Sequence, residues 1–246
     1  MIVRPFLHPD MGGISYLFGC GGKATAAVVD PVDAPDVYLH AAEAAGMAIH
    51  YVIDTHVHAD HLSTGSALAD AAGVPYVLSA QADVALRFDG VEDGNTLALG
   101  NVDIEVLHTP GHTPEHISLL VTDRTRADEP WFVLTGHTLM IGDVGRTELA
   151  VSAEQGARDL FRSVRRLAAL PDYVEVLPGA FSGSVCGRGL SGKPGSTVGF
   201  EKRYNAALRI DDEDAFVRFM LIDVPPAPPA AAQLRAVNAG RRVAGA

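Results

Sequence analysis

Cysteine is scarce in this chain: Cys20 and Cys186 are the only two in 246 residues. Two thiols cannot build a disulfide framework, so a hydrophobic core must hold the fold, and such usage suits a reducing compartment. Positive charge is also short, with Lys+Arg 19 against Asp+Glu 30 and a net charge of −11. A phosphate backbone would meet a repulsive average field, so nucleic acid is not an expected partner. No stretch approaches the roughly 18 uninterrupted apolar residues that a bilayer crossing needs. Residues 1–10, which carry Pro5, His8 and Pro9, lack the cationic-then-apolar order of a secretory leader. The expectation is a cytoplasmic protein with no membrane partner.

Apolar material is plentiful, at 48% of the chain, which suits one sizeable core. Short β-branched or aromatic runs at 14–18, 24–29, 49–53 and 75–78 read as strands, and residues 34–45, 63–72 and 81–86 read as helices between or after them. Residues 96–122 switch to strands with turns at Gly100-Asn101 and Pro110-Gly111, and 131–135 and 174–177 add further strands. The longest helical pattern, 152–170, opens on Ser152 and Glu154 and closes before Pro171. Residues 179–199 turn to glycine, serine and lysine and read as a long functional loop, after which 211–222 and 230–237 read as terminal helices. The sum predicts an α/β fold: an αββα sandwich of two mixed sheets packed face to face with helices outside. The expected organisation is a single domain over 1–246, with 206–246 a helical extension packed on it.

Three of the ten histidines, His56, His58 and His61, fall within Thr55-His56-Val57-His58-Ala59-Asp60-His61. Neutral imidazole and carboxylate suit borderline ions such as zinc and iron, and alternate residues leaving a strand share a face. The plain alternative is a helix-capping loop in which Asp60 or Ser63 caps the next helix. His112, in Thr109-Pro110-Gly111-His112-Thr113, and His137, after the strand at 131–135, occupy turns from which each could complete a ligand set. His116 reads as a group that could orient a ligand. His8, His40, His50 and His108 show no partner pattern. Cys186 reads as a buried small hydrophobe or as a sulfur-accepting thiol.

The segment from Thr55 to His61 resembles the HxHxDH signature of the metallo-β-lactamase superfamily. Ser15-Tyr16-Leu17-Phe18-Gly19, Val29-Asp30-Pro31, Gly142-Asp143-Val144-Gly145-Arg146 and Cys186-Gly187-Arg188-Gly189 resemble its persulfide dioxygenase-like subgroup more narrowly, as does Ser196-Thr197-Val198-Gly199-Phe200-Glu201. That resemblance implies one non-haem iron(II), held by two histidines and an aspartate, that uses oxygen to turn a low-molecular-weight persulfide into sulfite and thiol. His56 and His112 match the two ligating histidines. The aspartate position holds His137, and the later Pro-x-His position reads Pro178-Gly179-Ala180. Both departures argue against an efficient dinuclear hydrolase. They leave a three-histidine site of His56, His112 and His137, with His58, Asp60 and His61 beside it as orienting groups or a weak second site.

Fe(II) is the expected metal, with Zn(II) as the alternative. Two competing functions stand beside the dioxygenase: a thioester or acyl hydrolase with Asp60 as catalytic base, and a non-catalytic metal- or thiol-binding homologue. Arg146, Arg188 and Lys193 are candidates to receive a substrate carboxylate. The expected partner is a small thiol or persulfide. The reading leaves room for a separate sulfurtransferase as sulfur donor, since no rhodanese domain fits in the chain, and for a homodimer.

Overall fold

The computed structural model describes residues 1–148, 151–222, 224 and 226–242. One sheet takes β1 (Ile2–His8), β2 (Gly13–Cys20), β3 (Thr25–Val29), β4 (Ala48–Ile53), β5 (Tyr76–Ser79) and β6 (Asp89–Val91), in that spatial order. It is antiparallel from β1 to β3 and parallel from β3 to β6. Helices α1 (Pro35–Ala44) and α2 (Gly65–Ala72) make the crossovers that parallel pairing requires. The second sheet is built from β7 (Thr96–Leu99), β8 (Val102–His108), β9 (Ile117–Asp123), β10 (Phe132–Gly136), β13 (Glu175–Pro178) and β14 (Ser196–Thr197). Its spatial order is β14-β13-β10-β9-β8-β7, and a small ribbon of β11 (Leu139–Met140) and β12 (Asp143–Val144) stands apart.

Strand side chains alternate between the two faces of a sheet, and that period sorts the core into three layers. Tyr16 and Phe18, with Leu119, Val121 and Leu134, point between the sheets, where Phe18 meets Phe132 edge-on at 5.6 Å between ring centroids. Leu17 and Val28 point outward to meet Tyr38 of α1 and Leu68 of α2. Leu120 and Val133 likewise meet α3 (Ala153–Ala168) on the far side. The buried stripe of α3 is Ala157, Leu160, Val164 and Leu167, the spacing of one helical face. Its first turn is capped by the Ser152 hydroxyl, which accepts from the Gln155 amide.

The architecture is the two-sheet sandwich with outer helices that the sequence pattern predicts. Strand β1 lies outside those read from the sequence, and two local expectations need correction. Residues 1–10 contain β1, an edge strand that tolerates Pro5 because no outer neighbour needs its missing N–H. Residues 81–86 form no helix; Ala82, Val84 and Leu86 pack on the α1/α2 layer, and the Ala85 amide donates to the Ala239 carbonyl. Six residues offer too few internal bonds to hold a helix against that packing. The loop read at 179–199 gives way at its end to β14 and to α4 (Val198–Tyr204), whose cap is the Thr197 hydroxyl.

The chain closes with α5 (Glu213–Leu221) and α6 (Ala231–Asn238). Phe216 of α5 packs on Phe161 of α3, while α6 lies over the loop after β4. The last four residues of the 206–246 stretch lie outside the described ones. Among the described residues no helix is long and apolar enough to cross a membrane.

The loops that leave β4, β8, β10 and β13 converge at one end of the sandwich. The Ile117 amide donates to the Thr55 carbonyl at 2.9 Å, and the Gly179 amide to the Gly136 carbonyl at 2.8 Å. Between β8 and β9 the turn runs so close beneath α3 that a Cβ on Gly111, where φ is +137°, would sit 2.5 Å from Leu160 Cα. Gly111→Ala should therefore lower the stability of the metal-free protein by about 2 kcal/mol or more. Urea unfolding checks this, and an unchanged midpoint would show that the turn is free to move away from the helix.

Candidate metal centre

β4 ends at Ile53 and delivers Asp54, Thr55 and His56 into the buried end of the sandwich. Beneath this loop lies the buried carboxylate of Asp30. Its Oδ1 accepts the Thr55 amide at 2.7 Å and its Oδ2 the Thr55 hydroxyl at 2.9 Å. Having given its one proton to Asp30, that hydroxyl can only accept from His56 Nδ1, 2.9 Å away. The His56 tautomer is thereby fixed, with the lone pair on Nε2.

His112 is fixed in the same sense by a different partner. Its Nδ1 lies 2.8 Å from the Arg146 carbonyl, to which it must donate, leaving the lone pair on Nε2. His137 follows β10, and its backbone amide donates to His116 Nε2 at 3.1 Å. His116 then carries its proton on Nδ1, facing the hydroxyls of Thr109 and Thr138. Gly136 makes this close packing feasible: at φ +47°, a Cβ there would lie 2.5 Å from His116 Nε2 and 2.6 Å from Thr55 Oγ1.

His56, His112 and His137 each bring a ring nitrogen into a group spanning no more than 4.8 Å. Within it, His112 Nε2 and His137 Nδ1 are 3.3 Å apart. Two nitrogens bound at about 2.0–2.1 Å to one tetrahedral ion stand roughly 3.4 Å apart. Among the described residues, the buried His56 Nε2 has no hydrogen-bond partner. An orphaned buried acceptor, a ligand-like nitrogen pair and a neutral donor set all fit a metal ion.

Electrostatics keep these rings neutral. Burial, reinforced by the neighbouring imidazoles, holds His56 and His116 well below the usual histidine range and brings His112 down to about 3. His137 is lowered by burial too, with Asp60 opposing. His58 behaves oppositely. Burial disfavours its charge, but Asp30, 3.2 Å from Nε2, outweighs that and raises it well above the ordinary value.

Asp60 is also buried, yet His61 and His137 hold its carboxyl well below the usual range. Its Oδ1 is 3.1 Å from His61 Nδ1 and its Oδ2 3.9 Å from His137 Nε2. His58, Asp60 and His61 form a second close group of potential donors. The Cys186 thiol, which burial and Asp60 push well above the ordinary cysteine value, lies beside Asp60 and His137.

The three cations read from sequence are placed very differently. Arg146 is buried; its guanidinium pairs with Glu148 and donates to the Val185 carbonyl, and its amide donates to the Cys186 carbonyl. Arg188 directs its guanidinium at the carbonyls of Phe219 and Ile222 and over the Phe219 ring. Lys193 lines a groove with Glu175, Leu177 and Phe200 that none of the clustered histidines borders. Ala180 is fully buried and offers no side-chain donor.

Four supporting residues escaped the sequence reading as site residues: Asp30, Thr55, Glu115 and Asn238. Glu115 accepts the Val57 amide and pairs with Arg235, which also donates to the Val57 carbonyl. Asn238 Nδ2 donates to the carbonyls of His58 and His61, and its Oδ1 accepts the Ser63 amide. Asp30 and Thr55 lie inside the quoted motifs, but nothing in their spacing says that they touch. Asn238 is more than a hundred residues from its partners.

The sequence and structure were compared with known proteins. The model of the metallo-beta-lactamase superfamily matches residues 9–179. The human mitochondrial persulfide dioxygenase ETHE1 is 31% identical over 231 residues, covering 89% of this chain and 80% of that protein. A metallo-beta-lactamase from Staphylococcus aureus superposes with a TM-score of 0.91 at 32% identity, over 96% of this chain and 72% of that one. ETHE1 from Myxococcus xanthus superposes with a TM-score of 0.83 at 27% identity, over 98% of this chain and 100% of that one. A match of this extent to the superfamily model, joined to persulfide dioxygenase relatives along almost the whole chain, makes this protein a member of the metallo-β-lactamase superfamily, in its persulfide dioxygenase-like subgroup.

Proposed function

We propose that this chain is an iron(II)-dependent enzyme that oxidises a low-molecular-weight persulfide with dioxygen. In balance, one persulfide, one dioxygen and one water give one thiol and one sulfurous acid. The observation that carries the reading is the convergence of one ring nitrogen from each of His56, His112 and His137, with His112 Nε2 and His137 Nδ1 3.3 Å apart, and with the side chain at position 180 reduced to a methyl group. Those three atoms would hold the catalytic metal. Bound iron(II) would supply the redox chemistry with dioxygen that no side chain here can provide.

The protein's own groups set the stage for that chemistry. Thr55 and the Arg146 carbonyl aim two lone pairs at the metal position, and His116 fixes the backbone of the third ligand. Asp60 Oδ2, a buried carboxylate oxygen without a hydrogen-bond partner among the described residues, is our candidate to accept the proton that the persulfide S–H gives up. Arg146 joins the His112 turn to the Cys186 loop through its carbonyl and its amide, and of the three cations it is the one that lies against the clustered histidines, which favours it for a substrate anion although Glu148 already pairs with its guanidinium. The guanidinium of Arg188 and the ammonium of Lys193 are less favoured for that contact, given their placement.

Protein purified without air and reconstituted with ferrous ion should hold about one equivalent of catalytic iron. It should consume oxygen and release sulfite when given glutathione persulfide. Zinc-dependent cleavage of a thioester with no oxygen uptake would replace this reading with the hydrolase. His56→Ala and His112→Ala should each lose most bound iron, measured by elemental analysis after desalting, because each removes about a third of the protein donors. Retention of full metal in both rejects the ligand assignment. Asn238→Ala should weaken metal affinity by about tenfold while leaving the fold intact, since orienting partners typically contribute 10- to 100-fold. Competition against a chelator measures the effect, and parent affinity would mean that α6 does not tension the loop.

A further inference from the structure

We propose that Asp60, His137 and Cys186 form a second cation site, suited to a thiophilic divalent ion such as zinc and joined to the first site through the His137 ring. The donor atoms of these three residues lie within 4.8 Å of one another. The two nitrogens of His137 face different neighbours: Nδ1 is 3.3 Å from His112 Nε2, while Nε2 is 3.9 Å from Asp60 Oδ2. Where a carboxylate would present two oxygens to two ions, this imidazole presents two nitrogens.

The second donor set is built rather than incidental. Asp60 Oδ2 is buried with no hydrogen-bond partner among the described residues. Cys186 is 1% exposed, so solvent does not compete for its sulfur. Its loop is pinned by the Arg146 amide on the Cys186 carbonyl, the Arg146 guanidinium on the Val185 carbonyl and the Cys186 amide on the Ser184 hydroxyl. One nitrogen, one oxygen and one sulfur donor make a zinc-type set.

Filling both sites releases two protons to solvent, one from the Cys186 thiol and one from the His137 ring. Thiolate, carboxylate and imidazolate then carry three negative charges against the four positive charges of two divalent ions. An imidazole bridge with metal–nitrogen distances of about 2.0–2.1 Å keeps its ions roughly 6 Å apart. Two-metal hydrolases hold theirs about 3.5–4 Å apart, so this pair would not share one nucleophilic water. The ion would also withdraw Asp60 from proton transfer. The bridge, though not the second donor set, rests on the three-histidine reading of the first site.

The test is an oxygen-free titration of the metal-free full chain with cobalt(II), followed by zinc analysis. The parent should bind two equivalents and develop a sulfur-to-cobalt charge-transfer band in the near ultraviolet. Cys186→Ala and Asp60→Asn should each lose that band and one equivalent. Circular dichroism confirms that the variants fold, and the parent spectrum stands alone if either does not. One equivalent with no sulfur band overturns the second site and leaves the three-histidine reading intact. A sulfur band with only one equivalent overturns the bridge, and with it the three-histidine reading.

Discussion

The buried carboxylate of Asp30 is the contact on which the metal centre depends. One oxygen takes the Thr55 amide and the other the Thr55 hydroxyl, so the hydroxyl has only its lone pairs left for His56. Burial alone would raise the Asp30 carboxyl, but His58 beside it outweighs burial and keeps it ionised. The charge that Asp30 and His58 share is therefore settled locally. His56 and His112, further in, stay neutral and available. Neutral rings with lone pairs facing inward are what a cation site requires of its donors, and the charge on His58 is matched by Asp30 to one side of them.

Much of this was legible from residue order, because strands and helices impose short periods. The alternation of Tyr16, Leu17 and Phe18, and of Leu119, Leu120 and Val121, places each side chain on its sheet face. The stripe on α3 shows the helical period equally plainly. The edge strand β1 was hidden because Pro5 breaks the usual signal, and the irregular stretch at 81–86 because the Ala85 amide bonds to Ala239, far along the chain. The same distinction holds in the site. His56, His112 and His137 follow strand ends and could be named as candidates from their turns. Thr55, Asp30 and Asn238 act through hydrogen bonds that no local spacing encodes, and Arg188 looked available until α5 gave it partners.

The exchange of carboxylate for imidazole at position 137 changes more than one ligand. A carboxylate would bring a negative charge and short reach, whereas the ring is neutral, longer and needs its backbone set back. Gly136 in the left-handed region and the amide bond to His116 fix the backbone from which the ring projects. The ring's outer nitrogen then faces Asp60 and the Cys186 loop. With Ala180 offering no donor, the proposed ligand set rests on imidazoles rather than on a carboxylate, which leaves Asp60 as the nearby source of negative charge.

The grip of α6 on the loop after β4 also bears on biogenesis. The bond from Asn238 to the His58 carbonyl joins residues 180 positions apart, and the Arg235 bond to the Val57 carbonyl joins residues 178 apart. A ribosome must release nearly all of this chain before either bond can form. The strands that present the histidines can pair earlier, with Asp30 and Ile117 already holding Thr55, but the His58 and His61 end of the loop gains its Asn238 bonds only when α6 docks. A nascent chain stalled before Arg235 would therefore present its histidines without these clamps.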